Sequence, residues 1–338
     1  VSLWSGTFTV TSQITLIQGL TLEGSGRGST HITIGSTAGD WLDDMDAIIL
    51  IPKNANLCTI SDLSISGDRS TGFQDHNIDG IRILGYNWRP TVTNVEIVNC
   101  QGNGIFVTTG DRTDANAIVF EPIFQNISII SCNTSGMTLE YCADDALYSV
   151  NIEGCSNEGI KYFGGNGKWF DVHVYLNKVG MLIGGQPLRI NSCSLDTNYY
   201  QGAIVESIDT TVSPGAVVFI SPLAQANGAS ATDPKDACAI LIRGQNVTIT
   251  DMISINKNDI YQMYAVVEEG NADNNTIVNL TSQNVANTVL LVGENSVFTD
   301  YGSSDNDKDA DTKDDTLRNI LLVVLAVILL LILIRTVI

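Results

Sequence analysis

"TLEGSGRGSTHITI", residues 21–34, places three glycines within five positions between two arms of alternating residues. A phosphate-cradling loop needs a helix to begin at the glycines, so that its first N–H groups face the anion. After Thr30 the chain instead runs His31-Ile32-Thr33-Ile34, the period-two pattern of a strand. The Walker lysine is missing, and Arg27 lies inside the loop. The glycines therefore predict a tight corner between two strands, where positive φ is required, and no nucleotide site. Upstream, Phe8 with Val10, Ile14 with Leu16, and Leu20 with Leu22 carry the same alternation.

Downstream, the pattern becomes a repeat. Gly80-Ile81, Gly104-Ile105, Gly136-Met137, Gly159-Ile160, Gly180-Met181 and Gly202-Ala203 follow one another at steps of 24, 32, 23, 21 and 22 residues. Strands such as "TNVEIVNC", "QNISIISC" and "FDVHVYL" stand ahead of these pairs. A period in the low twenties with short strands in each repeat is a solenoid signature, each repeat burying its apolar row against its neighbours. The 32-residue step is accounted for by an insertion, "TTGDRTDANAIVFEP". A second excursion, about residues 210–237, predicts a large loop or small appendage.

The opening resembles the first coils of the pectate-lyase-like superfamily of right-handed parallel β-helices. Gly6-Thr7-Phe8, Leu20 to Gly26 and Thr30 to Ile34 carry the resemblance, and "NIDGIRI" and "VTNVEIVNC" continue it. It covers roughly residues 1–300 and implies an all-β solenoid of the kind used by tailspikes, spikes and adhesins. It specifies architecture rather than chemistry.

The chemistry the resemblance implies is polysaccharide cleavage. A polygalacturonase-like site uses paired carboxylates with Gly-His-Gly and Arg-Ile-Lys segments. Asp144-Asp145 offers a pair, but His31, His76 and His173 do not lie between glycines, and Gly159-Ile160-Lys161 matches the basic segment poorly. A pectate-lyase-like site needs Arg-x-Pro-x-x-Arg, and Arg89-Pro90 has no second arginine after it. Asp75, His76 and Asp79 form the densest titratable cluster, read as a solvated turn in which Asp79 holds the backbone of the next strand. The chain is expected to lack a complete catalytic constellation and to need no cofactor.

The remaining candidates are recognition features. Tyr86, Trp88, Trp169, Tyr199 and Tyr200 are candidates for stacking on sugars. Asn126, Asn133, Asn246, Asn274 and Asn279 head glycosylation sequons. Cys100, Cys132 and Cys155 each stand four residues before a repeat glycine, which predicts a stacked ladder of small buried side chains in preference to disulfides. Asn94, Asn126 and Asn151 are read as turn positions. Asp305, Asp307 and Asp309 have calcium-loop spacing, but Ala310 and Thr316 stand where such a loop needs glycine and glutamate, so no metal is expected there.

Seventeen Lys plus Arg against 37 Asp plus Glu give a net charge of −20, which repels phosphate backbones and excludes nucleic acid as a partner. The C-terminus reads "ILLVVLAVILLLILI" over residues 320–334, flanked by Arg318 and Arg335. With both arginines snorkelling, residues 317–338 predict one transmembrane α-helix in contact with lipid, and residues 301–316 an acidic stalk. The expected protein is a membrane-anchored spike on a virion or cell surface, its ectodomain outside. It is expected to recognise glycans and to form a homo-oligomer, with a trimer favoured. A membrane-tethered polysaccharide lyase or glycoside hydrolase and a surface-layer structural protein are the alternatives.

Overall fold

The computed structural model describes residues 1–35, 46–67, 77–109, 117–185, 187–206, 216–256, 262–270, 272–285, 287–293 and 295–299. Thr21–Glu23 and Thr30–Ile34 are strands, and both pair in parallel with Thr59–Ser66, in the registers Thr21↔Thr59 and His31↔Ser64. The glycine-rich segment between them occupies the place that Asp62 alone fills in the next coil. It turns on Gly26 (φ +127°), whose carbonyl accepts the N–H groups of Ser29 and Thr30, each at 2.9 Å. The glycines thus build a corner, and no helix starts there.

Later coils turn on single residues. Positive φ recurs every five residues at Arg89, Asn94 and Asn99, then at Glu121, Asn126 and Ser131, then at Asp144, Ser149 and Gly154. One left-handed residue redirects the backbone between short strands without disturbing its pairing, and, glycine aside, Asn and Asp tolerate that conformation best. The corner side chains also bond between coils. Asn126 Nδ2 donates to Asn94 Oδ1 at 2.9 Å, Ser149 Oγ to Asp171 Oδ2 at 2.9 Å, and Asn279 Nδ2 to Asp251 Oδ1 at 2.7 Å. Asn94 and Asn126 are corner residues as expected. Asn151 is not, because its register partner is Ser128 inside a strand, and Ser149 takes the corner.

The rungs assemble into a 17-stranded and a 12-stranded sheet, and each sheet stacks coil upon coil. The repeat glycines form a column on the second sheet. A Cβ on Gly104 would lie 2.7 Å from the Gly136 carbonyl oxygen, and one on Gly136 equally close to that of Gly159. Neighbouring coils approach too closely there for any side chain. Inside, Ile81, Ile105, Met137, Ile160, Met181 and Ala203 stack in register and are fully buried.

The span read as a loop at about residues 210–237 is partly core. Val217–Ile220 and Leu223–Gln225 are rungs in register with Leu188–Asn191 and Ser194–Asp196, because alternation turns Val217, Phe219 and Ala224 inward. Beyond Gln225 the chain leaves the sheet and passes through a short 3-10 turn, Pro234–Asp236, before the next rung at Cys238–Ile242. Val1–Thr299 is one compact unit. The acidic stalk, the apolar segment and Asp305, Asp307 and Asp309 lie outside the described residues. Among the described residues no helix is long and apolar enough to cross a membrane.

Candidate functional site

At the corner after the longest rungs, successive coils leave an open groove of about 500 Å³. Ser156, Leu176, Lys178, Tyr199, Tyr200 and Ser230 line it. Its walls are fixed by backbone bonds between coils. Tyr199 N–H donates to Asn177 O at 2.9 Å, Tyr200 N–H to Lys178 O at 2.9 Å, and Ser230 N–H to Tyr199 O at 2.7 Å. Behind them runs a buried ladder in which Cys155 N–H donates to Asn177 Oδ1 at 2.9 Å and Asn177 N–H to Asn198 Oδ1 at 3.1 Å. The groove thus offers two phenol rings, an ammonium group and two hydroxyls on a rigid floor, with no carboxylate among its lining residues. Aromatic faces that flank a few polar groups suit a sugar ring.

Around the same corner lies a titratable group that the sequence reading did not single out. Glu153, Tyr175 and Asp196 are consecutive register partners, as are Asn151, His173 and Ser194. Tyr175 OH donates to Glu153 Oε2 at 2.7 Å, and the His173 ring stacks on Tyr175 at 4.5 Å. Burial lowers the His173 pKa although Asp196, Asp171 and Glu153 pull it upward. Burial and the bond to Glu153 raise that of Tyr175. The His-x-Tyr spacing put both side chains on one strand face, but only the coil register brings Glu153 and Asp196 beside them.

The carboxylates weighed as catalytic candidates do not come together among the described residues. Asp144 and Asp145 do not form a pair. Asp144 is an exposed corner residue with φ +58°, while Asp145 is fully buried. Asp145 accepts Tyr162 OH at 2.9 Å and Trp169 Nε1–H at 2.8 Å, and burial raises its pKa. Asp79 is also buried and opens the strand Asp79–Leu84, so it is not part of a solvated turn as the sequence suggests. It accepts Arg82 Nε–H at 2.7 Å and the Asn103 backbone N–H at 2.7 Å, so it does hold the backbone of the next coil. Asp75 and His76 lie outside the described residues. Among the described residues no group of three His, Cys, Asp or Glu side chains is placed to hold a metal ion.

The aromatic candidates divide. Tyr199 and Tyr200 share the groove. Tyr86 and Trp88 are exposed on another corner, where Phe120 pairs with Trp88 and the Arg89 guanidinium lies 5.7 Å from the Trp88 ring. Trp169 is not a surface residue. Alternation turns it inward between Leu147 and Ile190, and Phe170, stacked on Tyr148 at 5.6 Å, is the exposed ring of that rung.

Asn126, Asn246, Asn274 and Asn279 are all left-handed corner residues. An inward residue and then an outward Ser or Thr follow each of them, so the grammar of the coil by itself generates the sequon. The side-chain amides of Asn126, Asn274 and Asn279 already donate within corner ladders. Asn133 is half-buried in a turn. All seven cysteines are free and buried, as the ladder reading expects.

No protein-family model and no curated protein matches the sequence. Solved structures do match. The A-module of mannuronan C-5 epimerase AlgE4 from Azotobacter vinelandii aligns with a TM-score of 0.65 at 14% identity, over 88% of this chain and 90% of that one. The enzymatically active domain of Bacteriophage CBA120 tailspike protein 2 gives 0.65 at 12% identity, over 85% of this chain and 47% of that one. The catalytic domain of a GH87 alpha-1,3-glucanase gives 0.60 at 12% identity, over 90% of this chain and 64% of that one. At such identity the likeness is one of fold. The chain is an all-β solenoid of parallel strands, similar to the parallel β-helices of a tailspike, an epimerase and a glucanase.

Proposed function

We propose that this chain is a carbohydrate-recognising surface protein. Its β-helix binds glycan in the groove of Tyr199, Tyr200 and Lys178, and residues 317–338 anchor it in lipid. The observation that carries the reading is the groove itself, which gathers the exposed phenol of Tyr199, the half-buried phenol of Tyr200 and hydrogen-bonding groups on a floor fixed by backbone bonds. Structural neighbours whose names include tailspikes and a glucanase support carbohydrate as the ligand class. In this reading the β-helix faces the exterior of a cell or virion and serves attachment, as a homo-oligomer with a trimer favoured. Screening the detergent-solubilised full chain against an immobilised glycan panel tests the reading. Selective retention on a subset of glycans is expected, and no retention on any of them contradicts it.

A second reading is a membrane-tethered lyase or hydrolase. Glu153, Tyr175, His173 and Asp196 favour it, since they set acid–base groups beside the groove. New reducing or unsaturated ends on a bound glycan, lost in Tyr175→Phe, would establish it.

A further inference from the structure

The outward columns of the 17-stranded sheet change character along the solenoid. In the earlier rungs they mix apolar Val98, Ile123, Ile130, Tyr148 and Phe170 with charged Glu96, Glu153, Lys168, Arg189 and Asp196. From Val217 onward the same columns hold Val218, Ile220, Leu223, Ile253, Ile255 and Val278. Their other outward positions are threonine or glutamine, with Val297 on the last rung. Ile253 is 46% exposed and Val297 51%. One carboxylate, Asp251, stands on the corner between the two facets, and its Oδ1 accepts Asn279 Nδ2–H.

We propose that this face is where a second copy of this chain packs, sheet face against sheet face. The chain carries a net charge of −20, so two copies repel one another over most of their surfaces. This face is where a twin can approach without opposing like charge. Its β-branched side chains lose little rotamer freedom on burial. Three coils across both facets and a fourth rung on one of them, at about 4.8 Å each, present on the order of 500 Å² per copy. The pair then buries roughly 1,000 Å², the lower bound for a specific interface.

Two measurements on the detergent-solubilised full chain test the assignment. Ile253→Cys introduces an accessible thiol into a protein whose seven native cysteines are buried. Mild oxidation is expected to give a covalent dimer of Ile253→Cys, and none of wild type or of Lys168→Cys, which lies on the same sheet in an earlier coil. By light scattering, wild type is expected to run as a multiple of its 36.3 kDa chain, and Ile220→Glu with Ile253→Glu as a single chain. A monomeric wild type, an oligomer unchanged by the two glutamates, or equal cross-linking through Lys168→Cys and Ile253→Cys would overturn the assignment.

Discussion

The side-chain oxygen of Asn227 accepts two hydrogen bonds from Asn198, one from its backbone N–H at 3.1 Å and one from its amide at 3.0 Å. Asn177 stands in the same relation to Asn198, and the row ends on Gln262. Each member satisfies a buried backbone group of its neighbour, so the ladder is a continuous support behind the groove. Asn198→Ala leaves the buried Asn177 N–H without its acceptor and takes one bond from the Val174 carbonyl, which stays in the strand ladder, at a cost of about 1–3 kcal/mol. Thermal unfolding is expected to shift downward by several degrees, while exposed Asn157→Ala leaves it unchanged. Equal midpoints would show that the ladder carries no stability.

Neighbouring carboxylates are expected to behave oppositely. Asp145→Ala leaves the Tyr162 hydroxyl and the Trp169 indole N–H buried without an acceptor, at a cost of about 2–5 kcal/mol. Asp144→Gly, at an exposed corner with φ +58°, is expected to be neutral within about 0.5 kcal/mol. Thermal midpoints of the two variants check this, and similar losses for both would contradict the inward and outward assignment.

The solenoid was legible because a repeated requirement writes a repeated residue. The column from Gly80 to Gly202 needs glycine where the coils touch, and Ile81 to Ala203 mark the inward row beside it. The corners were only half legible. A left-handed position accepts Asn, Asp, Ser or, at Leu176, leucine, so counting asparagines misassigned Asn151. The rung at Val217–Ile220 was hidden by an irregular step length, although its alternation is clear once the register is known. The site was the least legible part. Tyr199 and Tyr200 were recognisable as candidates, but their meeting with Lys178, and that of Glu153 with Tyr175, depends on coil register.

The thiols offer a separate test of the core. All seven are buried, and burial raises the pKa of Cys193 to about 12 and that of Cys142 well above the usual thiol value. A thiol-specific reagent is expected to leave the native chain unlabelled and to titrate seven groups after denaturation. Rapid labelling of the folded protein would contradict the ladder.

Stability is expected to fall as pH drops through the histidine range. Burial lowers the His173 pKa in the folded state, so the unfolded chain binds this proton first. The contribution is full above about pH 6.5 and is lost as pH falls toward the folded value. In a series of melts from pH 8 to pH 5, His173→Gln should lose less than wild type. Parallel curves for the two proteins would remove His173 from the acid response.

The most direct test of the account is the affinity of the full chain for a glycan selected from the panel, compared across two double variants. Tyr199→Ala with Tyr200→Ala removes both rings from the groove, and Tyr86→Ala with Trp88→Ala removes two exposed rings from the other corner. Two stacking contacts of about 0.5–1.5 kcal/mol each correspond to a loss of roughly fivefold to 150-fold. The account predicts that loss in the groove variant and wild-type affinity in the other. Unchanged affinity in the groove variant, at an unchanged unfolding midpoint, would contradict it.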